Sequence, residues 1–370
     1  MKKNLFILAA TAAALASCSN DVTTAVNTTL NAPQEITFRT TADRMTRAAD
    51  ISLTTLQTSG FYVSARNSSD ASVFSNFTDK LFTYATGYWT SSPAYVWPSS
   101  GNLDFYAYAP ATTSEQITAH ADYKSFAVTP SATAADQVDL VFANANAKNQ
   151  TNSSAGVALN FRHAESKVAI NLKNTNAAMT LTVGNVVIGN ILNSGTYSYT
   201  KVDAGTTAAS TFLLNSDWTL TSATATTYSQ AVTDASAYST STAAQAGVDM
   251  ILIPQILTKA TTYASDDNGA LFNGPYITVQ IKIQQGGVYT VGNADTFITA
   301  MWPLPTITWQ PGHKYTYIID LSGGGYYPTN NTGNSALDPI ITGDSEIKFA
   351  TVTVDDWDTT SPAGDQSVTM

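Results

Sequence analysis

The chain has 370 residues, of which 44% are hydrophobic and 12% are charged, and its formal net charge is -10. The hydrophobic share excludes a disordered polyelectrolyte, and the acidic balance lacks the basic surface that nucleic-acid binding needs. A single cysteine, Cys18, excludes a disulfide within the chain. The length suits two domains better than one.

The first 18 residues have the pattern of a bacterial lipoprotein signal. Lys2 and Lys3 precede an apolar run, residues 5–15, which at about 11 residues is too short for a membrane span of ~20. Residues 15–18, Leu-Ala-Ser-Cys, have the form of a lipobox, in which small residues admit the peptidase and the thiol takes the lipid. We therefore predict a signal peptide over residues 1–17 and acylation at Cys18. An ordinary signal peptide beside a free cysteine is the alternative.

The chain beyond this leader predicts short strands separated by turn residues. Residues 34–39 alternate, so that Ile36 and Phe38 share the buried face of a strand. The arginine-bearing residues 40–50 are predicted to be exposed. Residues 144–156 are polar and lack periodicity, which predicts a linker or an inter-domain loop. Further strands of this half are predicted at residues 60–65, 102–109 and 138–143.

The second half continues with strands, and no amphipathic helix is predicted anywhere in the chain. Pro311 and Gly312 predict a type II turn before a strand at residues 315–321, because glycine accepts the positive φ of the third turn position. Many short strands with turn signals between them indicate an all-β fold of sandwiches or barrels. Other strands are predicted at residues 157–163, 167–172, 180–188, 211–214, 218–220, 250–253, 276–283 and 288–291.

The last strand-like segment changes phase along its length. Ile347 and Phe349 share one face of the strand, whereas Val352 and Val354 belong to the other. A slip of one residue exchanges the two faces of a flat strand, so a bulge or bend near Ala350 is predicted.

Residues with catalytic or metal-binding chemistry are scattered along the chain. His120, His163 and His313 have no metal-ligand spacing, and each is predicted to be an ordinary strand or turn residue. Residues 266–269 lack the ligand spacing of a calcium loop, so a turn is predicted. The acidic residues 355–358 are interpreted as a solvated strand end rather than as paired glycosidase carboxylates. Without a nucleophile elbow, phosphate loop or dinucleotide fingerprint, we predict no enzyme activity and no cofactor.

A cluster of aromatic residues allows two interpretations. The favoured one is hydrophobic core, because large rings supply much of the buried area of a sandwich. The alternative is a glycan-binding surface on a monomeric surface lipoprotein, with Trp89 and Trp97 exposed. The cluster comprises Tyr84, Tyr88, Trp89, Tyr95, Trp97, Phe105, Tyr106 and Tyr108.

The order of several segments resembles the fimbrillins of Bacteroidales, the subunits of type V pili. The resemblance covers nearly the whole chain, and it depends on the order of the segments because no single motif is strong. The segments are the lipobox at residues 15–18, the strand at 35–39, the arginine loop at 46–49, residues 88–98 before the strand at 103–108, and residues 159–168, 252–255, 309–321 and 352–357.

The resemblance implies two transthyretin-like Greek-key β-sandwich domains in tandem, at residues 48–155 and 156–370, after a lipidated propeptide of residues 18–47. It also implies an adhesive structural subunit that reaches the outer membrane as a lipoprotein. An arginine-specific protease would cut an early arginine, the strand with Ile36 and Phe38 would leave, and a strand of the next subunit would enter the open groove.

Two arginines are candidates for this cut. We favour a cut between Arg47 and Ala48, because small residues follow Arg47 and Thr46 precedes it. Arg44 is the second candidate, and the remaining alternative is that both arginines are ordinary loop charges.

The candidate donor strand is the last strand-like segment, with Ile347, Phe349, Val352 and Val354 as its apolar residues. The polar tail at residues 358–370 argues against this assignment and leaves a tip or anchor subunit open. The implied partners are copies of this chain or other fimbrial subunits, the outer membrane through the lipid, and a ligand on a host or bacterial surface.

Overall fold

The computed structural model describes parts of one unit of the chain, Gln34–Met370. The predicted signal peptide, the predicted strand at 211–214, and Cys18, Arg44, Arg47, Ala48 and Ile347 lie outside the described residues. The described residues are 34–40, 51–111, 115–198, 215–221, 225–232, 238, 240–261, 263–266, 269–323, 326–327, 338–339 and 349–356.

The fold is all-β, as predicted, and its strands mostly fall where the residues alternate. The first ten strands are β1 Phe38–Thr40, β2 Phe61–Asn67, β3 Lys80–Ala85, β4 Tyr88–Thr90, β5 Leu103–Ala109, β6 Ile117–Ala119, β7 Ser125–Val128, β8 Val141–Lys148, β9 Val157–Leu159 and β10 Arg162–His163.

Longer strands follow in the second half. They are β11 Ser166–Lys173, β12 Met179–Leu192, β13 Gly195–Ser198, β14 Trp218–Leu220, β15 Ala225–Gln230, β16 Ala244–Gln245, β17 Met250–Leu252, β18 Ile256–Leu257, β19 Tyr263–Asp266, β20 Gly269–Phe272, β21 Tyr276–Gln285, β22 Val288–Val291, β23 Ile298–Pro303, β24 Ile307–Thr308, β25 His313–Asp320, β26 Tyr326–Tyr327, β27 Asp338–Pro339 and β28 Phe349–Asp356.

Within the described residues, the strands form four larger sheets. Sheet I has the order β10-β8-β5-β2-β3-β4-β1-β9. Sheet II has the order β16-β11-β25-β28 with β17 beside β11, and sheet III has the order β15-β12-β21-β23-β26-β27 with β22 beside β21. Sheet IV, β14-β13-β7-β6, combines strands from both sides of the predicted boundary at residue 155, which stays a prediction. Strands β18 and β24 form a separate two-stranded sheet, and so do β19 and β20.

The described residues contain one α-helix, where the sequence analysis predicted no amphipathic helix. The helix, α1, spans Leu53–Ser59, and the Ser52 side chain caps it by accepting a hydrogen bond from the Thr55 backbone N–H. Leu56 is its buried residue. Seven residues make barely two turns, so the periodicity that reveals a longer helix does not develop.

The predicted linker at residues 144–156 is wrong in its first five residues, because β8 continues to Lys148. Asparagine favours turns and alanine is a weak strand former, so this stretch resembles a loop. Pairing with β5 places Ala145 opposite Phe105, and this tertiary contact overrides the local preference. The predicted strand at 157–163 is also divided, into β9 and β10, which pair with different neighbours.

Two turn predictions are confirmed. Residues Pro311 and Gly312 form the turn before β25, and Gly312 has the positive φ, 67°, that its position requires. Asp266 pairs with Gly269 where β19 and β20 meet, as the predicted turn requires.

The bulge predicted near Ala350 is also confirmed. Strand β28 runs antiparallel to β25, with Thr351 opposite Ile318 but Phe349 opposite the next residue, Ile319. Ala350 is the extra residue, so the phase slip in the sequence marks a real irregularity of the ladder.

Two main hydrophobic cores fill the fold. The first core lies within sheet I, which curls over itself so that the Phe38 ring of β1 meets the Phe105 ring of β5 at 5.1 Å. Its members are Ile36, Phe38, Ile51, Leu56, Phe61, Val63, Ala65, Phe77, Phe82, Trp89, Trp97, Leu103, Phe105, Ala107, Ala109, Val141, Ala143, Ala145, Val157, Leu159 and Phe161.

The second core lies between sheets II and III and therefore has the two layers of a sandwich. A smaller cluster, with Phe142, Tyr197 and Trp218 among its members, joins residues of sheets I and IV. No helix in the described part of the chain has the length and apolar character needed to cross a membrane. Strand residues of the second core include Val168, Ile170, Leu172, Leu181, Val183, Val186, Ile188, Ile191, Ile277, Val279, Ile281, Ile283, Trp302, Tyr315 and Tyr317.

Candidate functional site

The predicted propeptide strand lies in the interior of sheet I. Strand β1 runs antiparallel to β4, with Phe38 opposite Trp89, and parallel to β9, with Phe38 opposite Val157. Backbone bonds extend this pairing: the Ile36 N–H donates to the Tyr95 carbonyl at 2.7 Å. Strand β1 therefore lies between β4 and β9. Because neighbouring strands are about 4.8 Å apart, removal of β1 would leave a gap the width of one strand between them.

The two apolar residues predicted for this strand are both fully buried, as the alternation indicated. Ile36 and Phe38 are 0% exposed, whereas Arg39, the residue after Phe38, is exposed. The Phe38 ring makes edge-to-face contacts with Phe82 at 4.7 Å and Phe105 at 5.1 Å. Such edge-to-face pairs are each worth ~0.5–1.5 kcal/mol beyond the buried area. Phe38 is therefore a central packing element of the first core.

The candidate cut sites lie in residues 41–50, outside the described residues. The described residues on both sides of this segment, Thr40 and Ile51, are held in the fold. On the N-terminal side, Thr40 pairs with Leu159 at the end of β1. On the C-terminal side, Ile51 is 7% exposed, and its backbone N–H donates to Asp139 Oδ2 at 3.0 Å. A cut between these two anchors would break the covalent link between β1 and Ile51, while each side stays held by its own hydrogen bonds and packing.

The candidate donor strand occupies a different position. Strand β28 ends the order of sheet II, and within the described residues it has one neighbour, β25. The ladder places Val352 opposite Tyr317 and Val354 opposite Tyr315, beyond the bulge. The structure therefore describes three of the four predicted donor residues in the strand, while Ile347 lies outside it.

A buried ionisable cluster joins the first core to sheet II, and the sequence did not predict it. Asp139, His163 and Glu165 are 2%, 0% and 0% exposed. His163 Nδ1 lies 3.0 Å from Asp139 Oδ1 and 2.9 Å from Oδ2, so the carboxylate fixes the ring. The Leu140 backbone N–H donates to Glu165 Oε2 at 2.8 Å, while Glu165 Oε1 is buried without a hydrogen-bond partner.

The electrostatics of this cluster follow from its burial. Loss of solvation, and then repulsion from the Asp139 carboxylate, raise the pKa of the Glu165 carboxyl well above its usual range. The backbone of Glu165 is also hydrogen-bonded, because its carbonyl accepts from the Gly312 N–H at 2.8 Å. The sequence contains no local signal of this cluster, because a glutamate between two predicted strands is ordinarily exposed.

The three histidines are strand or turn residues, as predicted. His163 belongs to β10 and His313 begins β25, where its Nδ1 lies 2.8 Å from the Pro311 carbonyl oxygen. His120 follows β6 and is exposed. Among the residues that the structure describes, no group of three His, Cys, Asp or Glu side chains is arranged to hold a metal ion.

The two tryptophans chosen for the glycan-binding alternative are buried, so that part of the alternative is wrong. Trp89 is 1% exposed and Trp97 is 6% exposed, because both pack into the first core. Tyr84 is 40% exposed, and its ring lies 5.1 Å from the Trp89 ring between centroids, with the two planes tilted by 60°. Phe105 and Tyr106 are 0% and 6% exposed, as the core interpretation predicts.

The model of a family described as fimbrillin-like matches residues 39–357. A comparison with curated proteins found no match.

Two of the solved structures that match the chain come from Bacteroides species. A fimbrial protein of Bacteroides vulgatus is 15% identical, with 85% of this chain and 99% of that chain covered and a TM-score of 0.48. A protein of Bacteroides uniformis named "putative cell adhesion protein" is 18% identical, with 87% and 98% covered and a TM-score of 0.46. Because the family match spans far more than half of the 370 residues, this chain belongs to the fimbrillin-like family.

Proposed function

We propose that the chain is a structural and adhesive subunit of a type V-like fimbria on the cell surface. The fimbrillin-like family is a family of structural proteins and not of enzymes, and it supports a role in a surface appendage. The names of the fimbrial and cell adhesion proteins with a similar chain path point to the same role. The proposed fold is two transthyretin-like Greek-key sandwiches in tandem, divided near residue 155.

The proposed route of export begins with the signal peptide at residues 1–17 and acylation at Cys18. The lipid would hold the precursor on the outer membrane, where a protease outside the cell can reach it. A cut between Arg47 and Ala48 would separate the lipid and residues 18–47 from the rest of the chain, and a cut after Arg44 would separate the lipid and residues 18–44. In this scheme the lipid brings the precursor to the outer membrane and is then removed with the propeptide. After a cut at Arg47, the mature subunit would start at Ala48.

The observation that carries this proposal is the interior position of β1. A strand with neighbours on both sides is joined to the rest of the chain through the arginine-bearing segment alone, with Ile51 fixed beyond it. Burying Ile36 and Phe38 contributes ~3–6 kcal/mol as an upper estimate, which holds the strand in place until the cut. Its departure would expose unpaired backbone on β4 and β9 beside an apolar groove, and such an edge accepts a new strand.

The proposed source of the new strand is the C-terminal segment with β28. Among the described strands, β28 ends the order of sheet II, so its departure would not divide that sheet. Each subunit would accept one strand in sheet I and supply another from its C-terminus, and repetition of this head-to-tail contact generates a filament.

The proposal is tested by cutting the purified precursor with an arginine-specific endoprotease. Trypsin is less suitable, because it also cuts after Lys348 in the candidate donor. We expect a new N-terminus at Ala48 by mass spectrometry, together with filaments in electron micrographs and ladders on mild SDS gels. Uncut precursor should stay monomeric.

Arginine variants provide the matched controls. Arg44→Ala should leave the new N-terminus at Ala48 and the filaments unchanged, Arg47→Ala should move the new N-terminus to Met45, and the double variant should abolish both the cut in this segment and the filaments. Filaments from a chain that keeps its N-terminus at Cys18 would contradict the proposed cleavage, and clean cleavage without any assembly would contradict the proposed strand exchange.

A further inference from the structure

The outward face of sheet I carries a buried arginine without an anionic partner. On strand β2, Phe61, Val63 and Ala65 belong to the first core, so the alternate residues face the other side of the sheet. Arg66 is one of these alternate residues and is 6% exposed. In the described part of the chain its guanidinium group makes no ion pair, and its Nε atom is buried without a hydrogen-bond partner. Because a buried charge is costly unless it is paired and hydrogen-bonded, such an arginine indicates a site for an anion from outside the chain.

The turn between β6 and β7 places a tyrosine and a second cation beside this arginine. The Arg66 Cζ atom lies 3.2 Å from the centroid of the Tyr123 ring, so one face of the guanidinium group is stacked. The Tyr123 ring lies 5.8 Å from the Tyr106 ring, and Lys124 Nζ lies 5.1 Å from the Tyr106 centroid. Two cations therefore flank a pair of tyrosine rings. Stacking does not use the guanidinium N–H groups, which lie in the plane of the group and form a fork that matches a planar anion.

A partly exposed stripe of apolar and aromatic side chains lies on the same face. Tyr62 of β2 is opposite Leu81 of β3 and Tyr108 of β5, and the centroids of the two tyrosine rings are 5.5 Å apart. Leu81 is 43% exposed, and both tyrosines are half-buried. Tyr62 precedes Arg66 by four residues, which is ~13 Å along a strand. A tyrosine ring offers an apolar face with a polar tip, and this combination suits the apolar faces and hydroxyl groups of sugar rings.

A carboxylate is held between the stripe and the arginine. Ser64 lies between Tyr62 and Arg66 on the same face of β2. Its hydroxyl donates to Asp79 Oδ1 at 3.1 Å and accepts from the Asp79 backbone N–H at 2.9 Å. Asp79 is exposed, so these two bonds orient its carboxylate at the surface. Carboxylate oxygens accept hydrogen bonds from hydroxyl groups, of which every sugar ring has several.

We propose that this face of sheet I binds an acidic sugar of a surface glycan, with the sugar carboxylate at Arg66. Lys124 supplies the second positive charge, and Asp79 accepts hydrogen bonds from the sugar hydroxyls. The adjoining rings of the glycan lie along Tyr62 and Tyr108. The inference deepens the adhesive part of the proposed function, because it gives the ligand a chemical class and a position on the chain.

The charges around the arginine favour one carboxylate over a more highly charged anion. Asp104 is directly opposite Arg66 on β5, but its Oδ1 atom accepts from the Ser68 hydroxyl at 2.6 Å and from the Ala147 backbone N–H at 2.8 Å. These bonds hold the carboxylate without neutralising it, and its charge disfavours a doubly charged phosphate or a polyanion nearby. A sugar carboxylate adds a single negative charge, and its planar shape matches the guanidinium fork.

Binding of sugars to the uncut full chain tests the inference. Two acidic probes are compared with matched neutral sugars by isothermal titration calorimetry: sialyllactose with lactose, and trigalacturonic acid with its methyl ester. We expect at least one acidic probe to bind, and its neutral counterpart to bind at least about tenfold more weakly. The two acidic probes also distinguish a sialic acid from a uronic acid. Equal binding of the acidic and neutral sugars, or no binding of either acidic probe, would overturn the inference.

Three variants locate the binding site. Arg66→Met keeps an unbranched apolar stem and removes the charge, so it should weaken binding of the acidic probe at least about tenfold. Lys259→Met, at an exposed lysine between β18 and β19, is the matched loss of charge and should leave binding unchanged.

Lys124→Met changes an exposed side chain and should weaken binding about threefold or more, which provides the test if circular dichroism shows that Arg66→Met does not fold. Full affinity in folded Arg66→Met, or in Lys124→Met where Arg66→Met does not fold, would overturn the inference. All of these measurements use the uncut chain, so their failure would leave the proposed cleavage and polymerisation standing.

Discussion

The two main cores of this molecule are built from different side chains, and they depend differently on the start of the chain. The first core is dominated by aromatic rings and includes Ile36 and Phe38, which the proposed cut would remove. The second core is dominated by Val, Ile and Leu from the long strands β12 and β21, and its described members begin at Ala134. The first core should therefore change on maturation, and the second should not.

The chemistry of each core suits its role. Strands β12 and β21 share a long antiparallel ladder in which branched aliphatic residues stack on a continuous surface. Strand β1 is three residues long and cannot gain much from backbone pairing. Aromatic rings supply large buried area for few residues, so a short strand can still be held and later exchanged.

The largest expected effect comes from truncating the ring at the centre of the first core. Phe38→Ala should lower the free energy of unfolding of the uncut chain by about 3–5 kcal/mol, because it leaves a cavity among three phenylalanines. Urea unfolding followed by tryptophan fluorescence measures this change. Arg39→Ala, one residue along the same strand and exposed, should change it by no more than about 0.5 kcal/mol.

The same variant tests whether the two cores are independent. Hydrogen exchange of Phe38→Ala should accelerate at amides of β4 and β9, which border β1, while amides of β12 and β21 keep their protection. Equal loss of protection in both cores would show that they unfold as one unit, and the comparison between them would then fail.

A smaller loss of stability is expected from a substitution at Gly60, the residue that ends α1 beside the first core. Gly60 follows α1 with φ of 78°, and a Cβ added there would lie 2.5 Å from the Phe82 backbone oxygen. Gly87 has φ of 93° but has no atom within 4 Å of the same position. Gly87→Ala should therefore cost about 1–2 kcal/mol from backbone strain alone, and Gly60→Ala about 1–3 kcal/mol more.

Thermal unfolding of both glycine variants measures the difference. Since β2 follows Gly60 directly, the additional loss should appear in the first core and leave the protection of β12 and β21 unchanged. Equal destabilisation by the two substitutions would mean that the helix end shifts to accept a methyl group, and that the first core is less tightly closed than its packing indicates.

Much of this fold was predictable because burial here follows simple alternation. The residues that alternate most clearly, such as those of β1 and β21, form strands with the expected buried faces. Even the bulge at Ala350 was visible as a change of phase. What the sequence did not reveal depends on distant partners: residues 144–148 extend β8 because β5 lies beside them, and α1 is too short to show a period.

The site was predictable to a similar extent. Ile36 and Phe38 were identified from their spacing, but their central place between β4 and β9 is a property of the topology. Burial of Trp89 and Trp97 also depends on how sheet I curls, which alternation alone does not specify. The cluster of Asp139, His163 and Glu165 joins two segments that are 24 residues apart, so no single local pattern contains it.

The smallest expected effect concerns this cluster, which connects the two regions. The pKa of Glu165 is raised in the folded chain, so the folded state holds its proton to higher pH than the unfolded state does. Stability from this group is therefore greatest at low pH and falls as pH rises from the ordinary glutamate pKa of about 4.3 towards the raised value. Glu165→Gln imitates the protonated side chain and cannot lose a proton.

We therefore expect the free energy of unfolding of Glu165→Gln to vary less with pH than that of the unmodified chain, and to be no lower at neutral pH. Urea unfolding at several pH values between about 4 and 8 measures the slope. Glu115→Gln, at an exposed glutamate, is the matched control and should keep the original slope. If the slope persists in Glu165→Gln, the pH dependence arises elsewhere, and the junction between the cores holds an ionised glutamate that its neighbours stabilise.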